Sequence, residues 1–418
     1  MTLKPNPDQP WYRAGDPLPE GEPTCLVPWT SICLAANGDI KPCCNYESQG
    51  QFNIYRGNTL EEAWKEWNNL RKDMIEQKFP IRCDRCWKTE ESLGSSRRHW
   101  MYEKIKQKPV QYAVEAPMDL KHMDLNFGNT CNLKCRMCGS WGSTHWHKED
   151  KKLHEIDTEF NRNTSNSIAR TIEPSLYKNM EDKLSNMERI DFKGGEPFMQ
   201  DGMFEVLQML VDNGSAPNVE LGYVTNGTKT PERLLELWPH FKQVILNVSI
   251  EATGDLYQYI RGSNTQTIEQ LEQNLKWYDQ FDNVKGHFSV AISTYSIFDL
   301  QNLADWIERV TSNLKQWKTE IADRTSDSVH WYEKPNQFQI LVVNPPYLNP
   351  NNMPLHIKQR VIDSWDKKYH LLDELRKRML VKEYDKKQWH LFKKFTKELD
   401  KMRDTNVLDY IPQMEGEF

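Results

Sequence analysis

Three cysteines in one short stretch constrain this chain more than any other feature. Cys131, Cys135 and Cys138 are separated by three and then two residues, and they follow an apolar run, Met123–Phe127, that predicts a strand. Thiolates are soft ligands that bind iron–sulfur clusters or zinc. Three protein ligands on a four-iron cube leave one iron atom open to an outside ligand, and an open iron site is a catalytic one.

The spacing of these cysteines resembles the cluster-binding motif of the radical S-adenosylmethionine (SAM) superfamily. That resemblance implies that Cys131, Cys135 and Cys138 hold a 4Fe-4S cluster, whose fourth iron chelates the amino and carboxylate groups of SAM. Reductive cleavage of SAM then gives a 5′-deoxyadenosyl radical, which abstracts hydrogen from a substrate. The residues alone leave a second interpretation open, a three-cysteine zinc site completed by His145 or His147.

Polar motifs follow the other predicted strands at their C-terminal ends, where barrel enzymes assemble their active sites. Gly194, Gly195 and Glu196 follow the predicted strand Ile190–Phe192. The glycines allow the backbone to approach a ligand closely, and the glutamate supplies an acceptor. The sequence resembles the GGE motif of the radical SAM family, which binds the amino group of SAM.

The same resemblance implies cofactor-binding residues at later strand ends. Thr225 and Asn226 follow the third predicted strand and look like the short polar patches that face SAM in this family. It places Ser249 and Glu251 near the ribose, and Arg261 near the methionine carboxylate. Ordinary capping of a strand end explains Thr225, Asn226 and Glu251 about equally well when each is taken alone.

Short apolar runs alternate with amphipathic stretches from residue 118 onward, which predicts βα units with a parallel sheet. The predicted strands are Met123–Phe127, Ile190–Phe192, Val219–Val224, Val244–Ile250, Phe288–Ile292 and Phe338–Val343. The predicted helices are Met203–Val211, Pro231–Trp238, Thr267–Tyr278 and Leu300–Val310. We expect an α/β fold, a partial (β/α)6 TIM-like barrel of the radical SAM type, with Ser293, Thr294 and Asn344 at strand ends that face the substrate.

Four cysteines ahead of this region predict a second metal site. Cys25 and Cys43 are separated by seventeen residues, and Cys83 and Cys86 form a C-x2-C pair after a predicted helix, Thr59–Gln77. Four protein ligands suit a closed cluster or a structural zinc ion. The spacing resembles the twitch module, the shortened SPASM domain, which implies an auxiliary 4Fe-4S cluster, with zinc as the alternative.

Two more cysteines lie in the same segment. We expect Cys33 and Cys44 to be buried small apolar residues rather than ligands, although Cys44 adjoins Cys43 and is able to substitute for it. The twitch module more often follows the barrel, whereas here it precedes it.

The chain divides into five predicted parts. They are a polar N-terminal arm (1–24), a twitch/SPASM-like module (25–100), a linker (101–117), the barrel (118–345) and a helical C-terminal extension (346–418). The extension carries Leu391, Phe395, Leu399 and Met402 at helical spacing. We interpret it as a helix packed across the barrel, with its lysines on a solvated face.

Charge and cysteine usage exclude several classes of partner. The net charge of −6, from 60 acidic and 54 basic residues, gives no support for nucleic acid bound by a globally basic surface. No apolar run is long enough for a membrane helix, and the N-terminus lacks the apolar core of a signal peptide. Nine cysteines bunched in three places fit metal ligation in a reducing compartment, so we expect a cytoplasmic protein.

These features predict a radical SAM enzyme, an oxidoreductase or a peptide- or protein-modifying maturase. The substrate class that twitch and SPASM modules imply is a peptide or protein side chain that is oxidised or cross-linked. The same chemistry on a sugar alcohol or a nucleoside is one alternative, and a non-catalytic zinc-binding interaction protein is another. The resemblance also implies a reducing partner such as flavodoxin or ferredoxin. No catalytic side chain is assigned, because the cofactors supply the radical.

Overall fold

A single sheet organises the part of the chain that the computed structural model describes, residues 23–93, 96–99, 101, 112–160, 180–262, 266–317, 339–342, 345–365, 372 and 383–418. Its strands are β1 (Ser31–Leu34), β2 (Ile40–Lys41), β3 (His122–Leu125), β4 (Arg189–Phe192), β5 (Glu220–Thr225), β6 (Gln243–Ser249), β7 (Val284–Ile292) and β8 (Gln339–Val342). They lie in the order β2-β1-β3-β4-β5-β6-β7-β8. The β1–β2 hairpin is antiparallel, and the other neighbouring pairs are parallel. The expected α/β class with a mostly parallel sheet is confirmed, and closure into a partial barrel stays a prediction.

Helices connect and cover these strands. In the described residues they are α1 (Leu60–Glu66), α2 (Asn68–Ile75), α3 (Asp84–Leu93), α4 (His147–Ile156), α5 (Glu181–Leu184), α6 (Asp201–Asp212), α7 (Arg233–Leu237), α8 (Gly254–Arg261), α9 (Ile268–Tyr278), α10 (Leu300–Thr311), α11 (Leu355–Asp363), α12 (Lys386–Arg403) and α13 (Val407–Tyr410). None of them combines the length and the apolar character that crossing a bilayer requires.

The predicted strands and helices lie close to the observed ones, with two informative differences. Strand β7 begins at Val284, four residues before the predicted start, because Lys285 and His287 interrupt the apolar run although the backbone already pairs with β6. The single predicted helix Thr59–Gln77 is two helices, α1 and α2, which meet at Trp67, where ψ is 4°. Phe338, Val343 and Asn344 lie outside the described residues.

The cysteine-rich N-terminal segment extends the sheet. Strand β1 pairs in parallel with β3 from Ser31 opposite His122 to Leu34 opposite Leu125. Because that register sets Cys33 opposite Asp124, the hairpin lies directly beside the strand that leads into the three-cysteine loop. The hairpin that carries Cys33 and the strands of the βα units are therefore parts of one sheet.

The two faces of the sheet differ in polarity near β3 and β4. Successive residues of a strand point to opposite faces. Met123 and Ile190 are paired and buried on one face, whereas Asp124 and Asp191 are paired on the other. Parallel strands covered on both faces are usually continuous apolar runs. The polar face is therefore the one that a functional site would use.

Helix α12 packs its predicted apolar stripe inward. Leu391, Phe395 and Leu399 are buried, and Met402 is half-buried against the same core. The Phe395 ring lies 5.2 Å from the ring of Tyr347 and 5.7 Å from that of Phe160, measured between centroids. Aromatic contacts of this kind add to the burial of apolar area, so the C-terminal helix is part of the main core.

Gly286 in β7 provides a test of this packing. A Cβ atom at this position would lie 1.7 Å from the Trp317 ring, and neither the strand nor the buried indole has room to move. We expect Gly286→Ala to lower the free energy of unfolding by more than about 3 kcal/mol, through overpacking. Urea unfolding followed by circular dichroism measures this.

Gly214→Ala is the matched control for that measurement. Gly214 has a φ of +76°, and a Cβ atom on it would have no other atom within 4 Å, so alanine there adds backbone strain without a clash. We expect it to cost about 1 to 2 kcal/mol. Equal losses in the two variants would contradict the packing of β7 against Trp317.

Candidate active site

The three-cysteine loop follows β3 directly, and its thiols are buried or half-buried. The backbone N–H of Leu133 lies 3.5 Å from the Cys131 sulfur. Burial raises the pKa of Cys131 to about 12, and the nearby Cys135 thiol raises it further. Burial also raises the pKa of Cys135. Such thiols stay protonated at neutral pH unless a metal ion displaces the protons, since it is the thiolate that binds metal.

Two glycines bring the next loop against this one. Gly195 has a φ of +48°, and a Cβ atom on it would lie 2.1 Å from the carbonyl oxygen of Thr130. Gly194 has a φ of +83°, and a Cβ atom there would lie 1.7 Å from the side chain of Asn126. The Glu196 N–H donates to the Thr130 carbonyl at 2.9 Å. The glycine pair therefore permits contact between the two loops at backbone distance.

Glu196 is fully buried, and both of its carboxylate oxygens are engaged. Oε1 accepts from the Thr225 hydroxyl at 2.7 Å and from the Phe198 N–H at 3.3 Å, and Oε2 accepts from the Asn226 N–H at 2.8 Å. Burial raises the pKa of Glu196 to about 7 against these hydrogen bonds. The carboxyl group thus holds the end of β5 onto the Gly194–Gly195 turn.

Asn226 connects the end of β5 with the first cysteine. Its side-chain N–H lies 3.7 Å from the Cys131 sulfur and donates to Asn132 Oδ1 at 3.0 Å. Its Oδ1 accepts from the hydroxyl and the N–H of Thr228. Of the predicted strand-end residues, Asn226 is therefore one that reaches the cysteine loop itself.

Arg261 reaches the second cysteine from the end of α8. Its Nη1 lies 3.7 Å from the Cys135 sulfur, and its Nε lies 2.8 Å from Glu251 Oε2. Both charged groups are buried, and Nη2 of Arg261 has no hydrogen-bond partner among the described residues. Ser249 is half-buried at the last position of β6, opposite Ser289.

The residues of this loop fit an iron–sulfur cluster that binds a further ligand. Cys131, Cys135 and Cys138 supply three soft donors on one loop. A buried guanidinium nitrogen without a partner costs free energy unless a ligand satisfies it. Arg261 therefore offers a built position for an anionic group, such as a carboxylate, next to Cys135.

The N-terminal cysteines form a second set. Burial raises the pKa of Cys43 well above its ordinary value, and the surrounding thiols of Cys44, Cys86, Cys83 and Cys25 raise it further. Burial also raises the pKa of Cys83, and the thiols of Cys25 and Cys86 raise it further. Four thiols from separate parts of the segment therefore converge around Cys43.

Cys44 also has a contact outside the set of Cys25, Cys43, Cys83 and Cys86. Its sulfur lies 3.9 Å from Nζ of Lys193, which precedes the Gly194–Gly195 turn. The Lys193 ammonium group also pairs with Asp124, opposite Cys33 in the sheet. Cys43 therefore stays the predicted member of the four-thiol set, and Cys44 lies beside Lys193.

A buried ion pair fastens this second set. Arg98 donates to Glu90 on α3 at 2.7 Å and to the Thr24 carbonyl at 3.0 Å, next to Cys25. Its guanidinium carbon lies 4.9 Å above the Trp87 ring. Arg98 thus joins the two stretches of chain that carry Cys25 and Cys86.

His122, Asp124 and Asp191 are the one group of three or more His, Cys, Asp or Glu side chains in the described ranges whose ligand atoms lie within 4.8 Å of one another. Cations already surround the two carboxylates. Arg97 lies 2.7 Å from Asp124, and Arg189 lies 2.7 Å from Asp191. Since the carboxylates are paired in this way, we interpret the group as a buried charge network.

Sequence reasoning missed this network, although a pattern was present. Polar residues alternate along β3 as His122 and Asp124, and along β4 as Arg189 and Asp191, with Lys193 two residues further on. A period of two places them on one face. Reading that alternation instead of only the apolar positions would have found them.

The buried carboxyl of Glu196 predicts a pH effect on the metal-free protein. Because the folded state binds this proton more tightly than the unfolded chain does, stability falls as the pH rises from about 4.5 to about 7. We expect the free energy of unfolding of the wild type to fall by roughly 3 kcal/mol relative to Glu196→Gln across that window. Urea titrations at several pH values measure this. A difference in unfolding free energy between the two proteins that stays constant with pH would contradict this role of burial.

Comparison with known proteins relates the central part of the chain to one superfamily. Residues 125–307 match the model of the Radical SAM superfamily. No curated protein matches the chain. Among solved structures the chain is similar to native anSMEcpe with bound AdoMet, at 14% identity over 47% of this chain and 49% of that one, with a TM-score of 0.34.

Two structures of SuiB from Streptococcus suis are also similar. The complex with S-adenosylmethionine matches at 12% identity over 61% of this chain and 51% of that one, with a TM-score of 0.32. The complex with the precursor peptide SuiA matches at 10% identity over 85% and 65%, with a TM-score of 0.35. The chain thus covers about half the length of anSMEcpe and of SuiB in its SAM complex. The part of this chain that is similar to the Radical SAM superfamily is therefore residues 125–307, less than half of its length.

Proposed function

We propose that this chain is an enzyme that cleaves SAM reductively at a 4Fe-4S cluster held by Cys131, Cys135 and Cys138, and that it abstracts a hydrogen atom from a peptide or protein side chain. The observation that carries the proposal lies inside the radical SAM domain. Asn226, just after strand β5, and Arg261, at the end of helix α8, both reach sulfurs of the three-cysteine loop. A purely structural loop gives no reason for that convergence.

The cofactors would supply the difficult chemistry. A 4Fe-4S cluster held by Cys131, Cys135 and Cys138 would supply the one-electron reduction of bound SAM and, through it, the removal of one hydrogen atom from the substrate. The protein's part is to hold the reacting groups in place and to exclude water.

Named residues of this chain serve those purposes. Arg261 offers Nη2 to the carboxylate of SAM while Glu251 holds the other side of the guanidinium group. Asn226 fixes Cys131 relative to the end of β5. Glu196 positions Thr225 and Asn226 through the hydrogen bonds that its carboxylate accepts from them.

The polar face of the sheet supports a polar substrate such as a peptide. Asn247, His287 and Ser289 lie on the same face as Asp124 and Asp191. Burial lowers the pKa of His287 to about 4, so its ring is neutral at pH 7. Neutral hydrogen-bonding groups suit backbone amides and also suit hydroxyl groups. A sugar alcohol or a nucleoside is therefore the alternative substrate class.

We also propose that Cys25, Cys43, Cys83 and Cys86 hold an auxiliary 4Fe-4S cluster, which would supply an acceptor for the second electron of a two-electron oxidation. The resemblance of the cysteine spacing to the twitch module supports a cluster, and a structural zinc ion is the alternative.

SAM cleavage is the direct test of the first proposal. Anaerobically reconstituted protein, reduced with dithionite in the presence of SAM, is expected to form 5′-deoxyadenosine, measured by mass spectrometry. Cys135→Ala removes a ligand and should abolish product, whereas Cys33→Ala removes a buried thiol outside both cysteine sets and should not. Product no higher in the wild type than in Cys135→Ala would sink the proposal.

The substrate class requires a separate arm of the same experiment. Deuterium-labelled peptides, sugar alcohols and nucleosides are supplied in parallel, and the label is followed into 5′-deoxyadenosine. Transfer from a peptide supports the proposal, and transfer from only a small molecule supports the alternative.

Iron content tests the second cysteine set. We expect Cys43→Ala to lose about four irons per chain relative to the wild type, because one four-iron cluster is lost. Cys44→Ala is the matched control, since its sulfur faces Lys193, and it should keep its iron. Loss of iron in Cys44→Ala with none in Cys43→Ala would reverse the assignment, and equimolar zinc in the wild type would reject the cluster.

A further inference from the structure

Both neighbours of Cys135 are tied to the C-terminal helix α12, from residues more than 250 positions away. Arg136 is completely buried. Its Nη2 donates to Asp400 Oδ1 and, at 3.0 Å, to the Thr405 hydroxyl. Its guanidinium carbon lies 3.5 Å from the centre of the Tyr259 ring. This side chain therefore fastens the cysteine loop to the end of α12.

Asp400 is held equally firmly on its own side. Its carboxylate accepts from the Tyr259 hydroxyl at 3.0 Å, from the Thr405 hydroxyl at 2.8 Å and from the Val407 N–H at 2.8 Å. A buried carboxylate with this many donors has little freedom to move. The Arg136 backbone N–H also donates to the Ile260 carbonyl at 2.7 Å, close to Arg261.

Lys134, on the other side of Cys135, is connected to the same helix through the carboxylate of Glu149. Its ammonium group lies 3.0 Å from Glu149, and Arg403 lies 2.7 Å from that carboxylate. Arg403 also lies 4.7 Å from the Trp146 ring, whose N–H donates to the Cys135 carbonyl at 3.0 Å. Arg403 thus contacts the surroundings of Cys135 in two ways.

We propose that the last turn of α12 is a clamp that fixes Cys135 as a metal ligand, with Arg136, Asp400 and Arg403 as positioning residues. The inference rests on the proposed function, in which Cys135 binds the cluster. A buried ion pair contributes little net stability compared with apolar packing, but it specifies one geometry. The contacts suit a positioning role. The polar contacts of α12 involve the residues on either side of Cys135, whereas the apolar residues of the helix pack into the main core.

The test uses the full chain and three variants, all of them on helix α12. Asp400→Asn removes the charge at Arg136 while keeping the shape, and Arg403→Gln breaks the tie through Glu149. Lys394→Gln is the matched control, because Lys394 lies on the same helix but pairs with Asp157, away from the cysteine loop. Circular dichroism confirms that each variant folds, and Arg403→Gln carries the test if Asp400→Asn does not.

The first readout needs no metal. Metal-free proteins are treated with iodoacetamide, and peptide mass spectrometry follows each cysteine. We expect Cys135 to be alkylated on the order of tenfold faster in Asp400→Asn and Arg403→Gln, which is the effect of losing a hydrogen bond to a charged group. Cys131 should react at the wild-type rate, and Lys394→Gln should behave as the wild type at both cysteines.

The second readout uses the loaded protein. Iron release to a chelator and the electron paramagnetic resonance spectrum of the reduced protein, with and without SAM, are compared across the same set. Faster release and an altered response to SAM in the two clamp variants support the proposal. Unchanged rates in both variants overturn it, as does equal acceleration at all three cysteines of the loop. A wild type that binds no iron defeats the proposed function, whereas the alkylation pattern still reports on the clamp.

Discussion

The close contact between the Thr130 carbonyl and Gly195 is the constraint on which the rest of the site depends. Any side chain at Gly195 would overlap that carbonyl, so only glycine lets the two loops meet. Once they meet, Glu196 reaches the end of β5, and Asn226 reaches Cys131. The position of the first cysteine thus depends on backbone and side-chain contacts among the loops that follow β3, β4 and β5.

The N-terminal hairpin holds the first cysteine-rich segment beside the strand that leads into the three-cysteine loop. Its parallel pairing with β3 places Cys44 within 3.9 Å of Lys193, one residue before the glycine turn. Lys193 also pairs with Asp124, and Asp124 with Arg97, so a group of paired charges lies next to Cys44. A buried charge costs free energy unless it is paired. Each of these charges accordingly has a partner of opposite sign.

Local patterns predicted most of the elements because they depend on neighbours in sequence. The strands β3 to β6 and the helices α6, α9 and α10 lie within a few residues of their predicted bounds. The capping box at Thr267 is an example of a signal contained in four residues. The three-cysteine loop and the glycine turn were also visible in this way.

Contacts between distant residues were not visible in the sequence. Arg136 and Asp400 are 264 positions apart, and nothing near either residue indicates the other. The parallel pairing of β1 with β3 brings together segments 91 residues apart, and two short strands carry no signal of their partner. The contacts of Glu196 are a second example, since its carboxylate accepts hydrogen bonds from the end of a later strand.

The central claim is that three thiolates leave one iron atom open to SAM. Mössbauer spectroscopy of the Cys83→Ala variant, reconstituted with 57Fe so that only the loop cluster remains, tests it most directly. The account predicts that adding SAM changes the signal of one iron in four and leaves the other three unchanged. A spectrum that SAM does not alter, or a protein that takes up no iron, would contradict it.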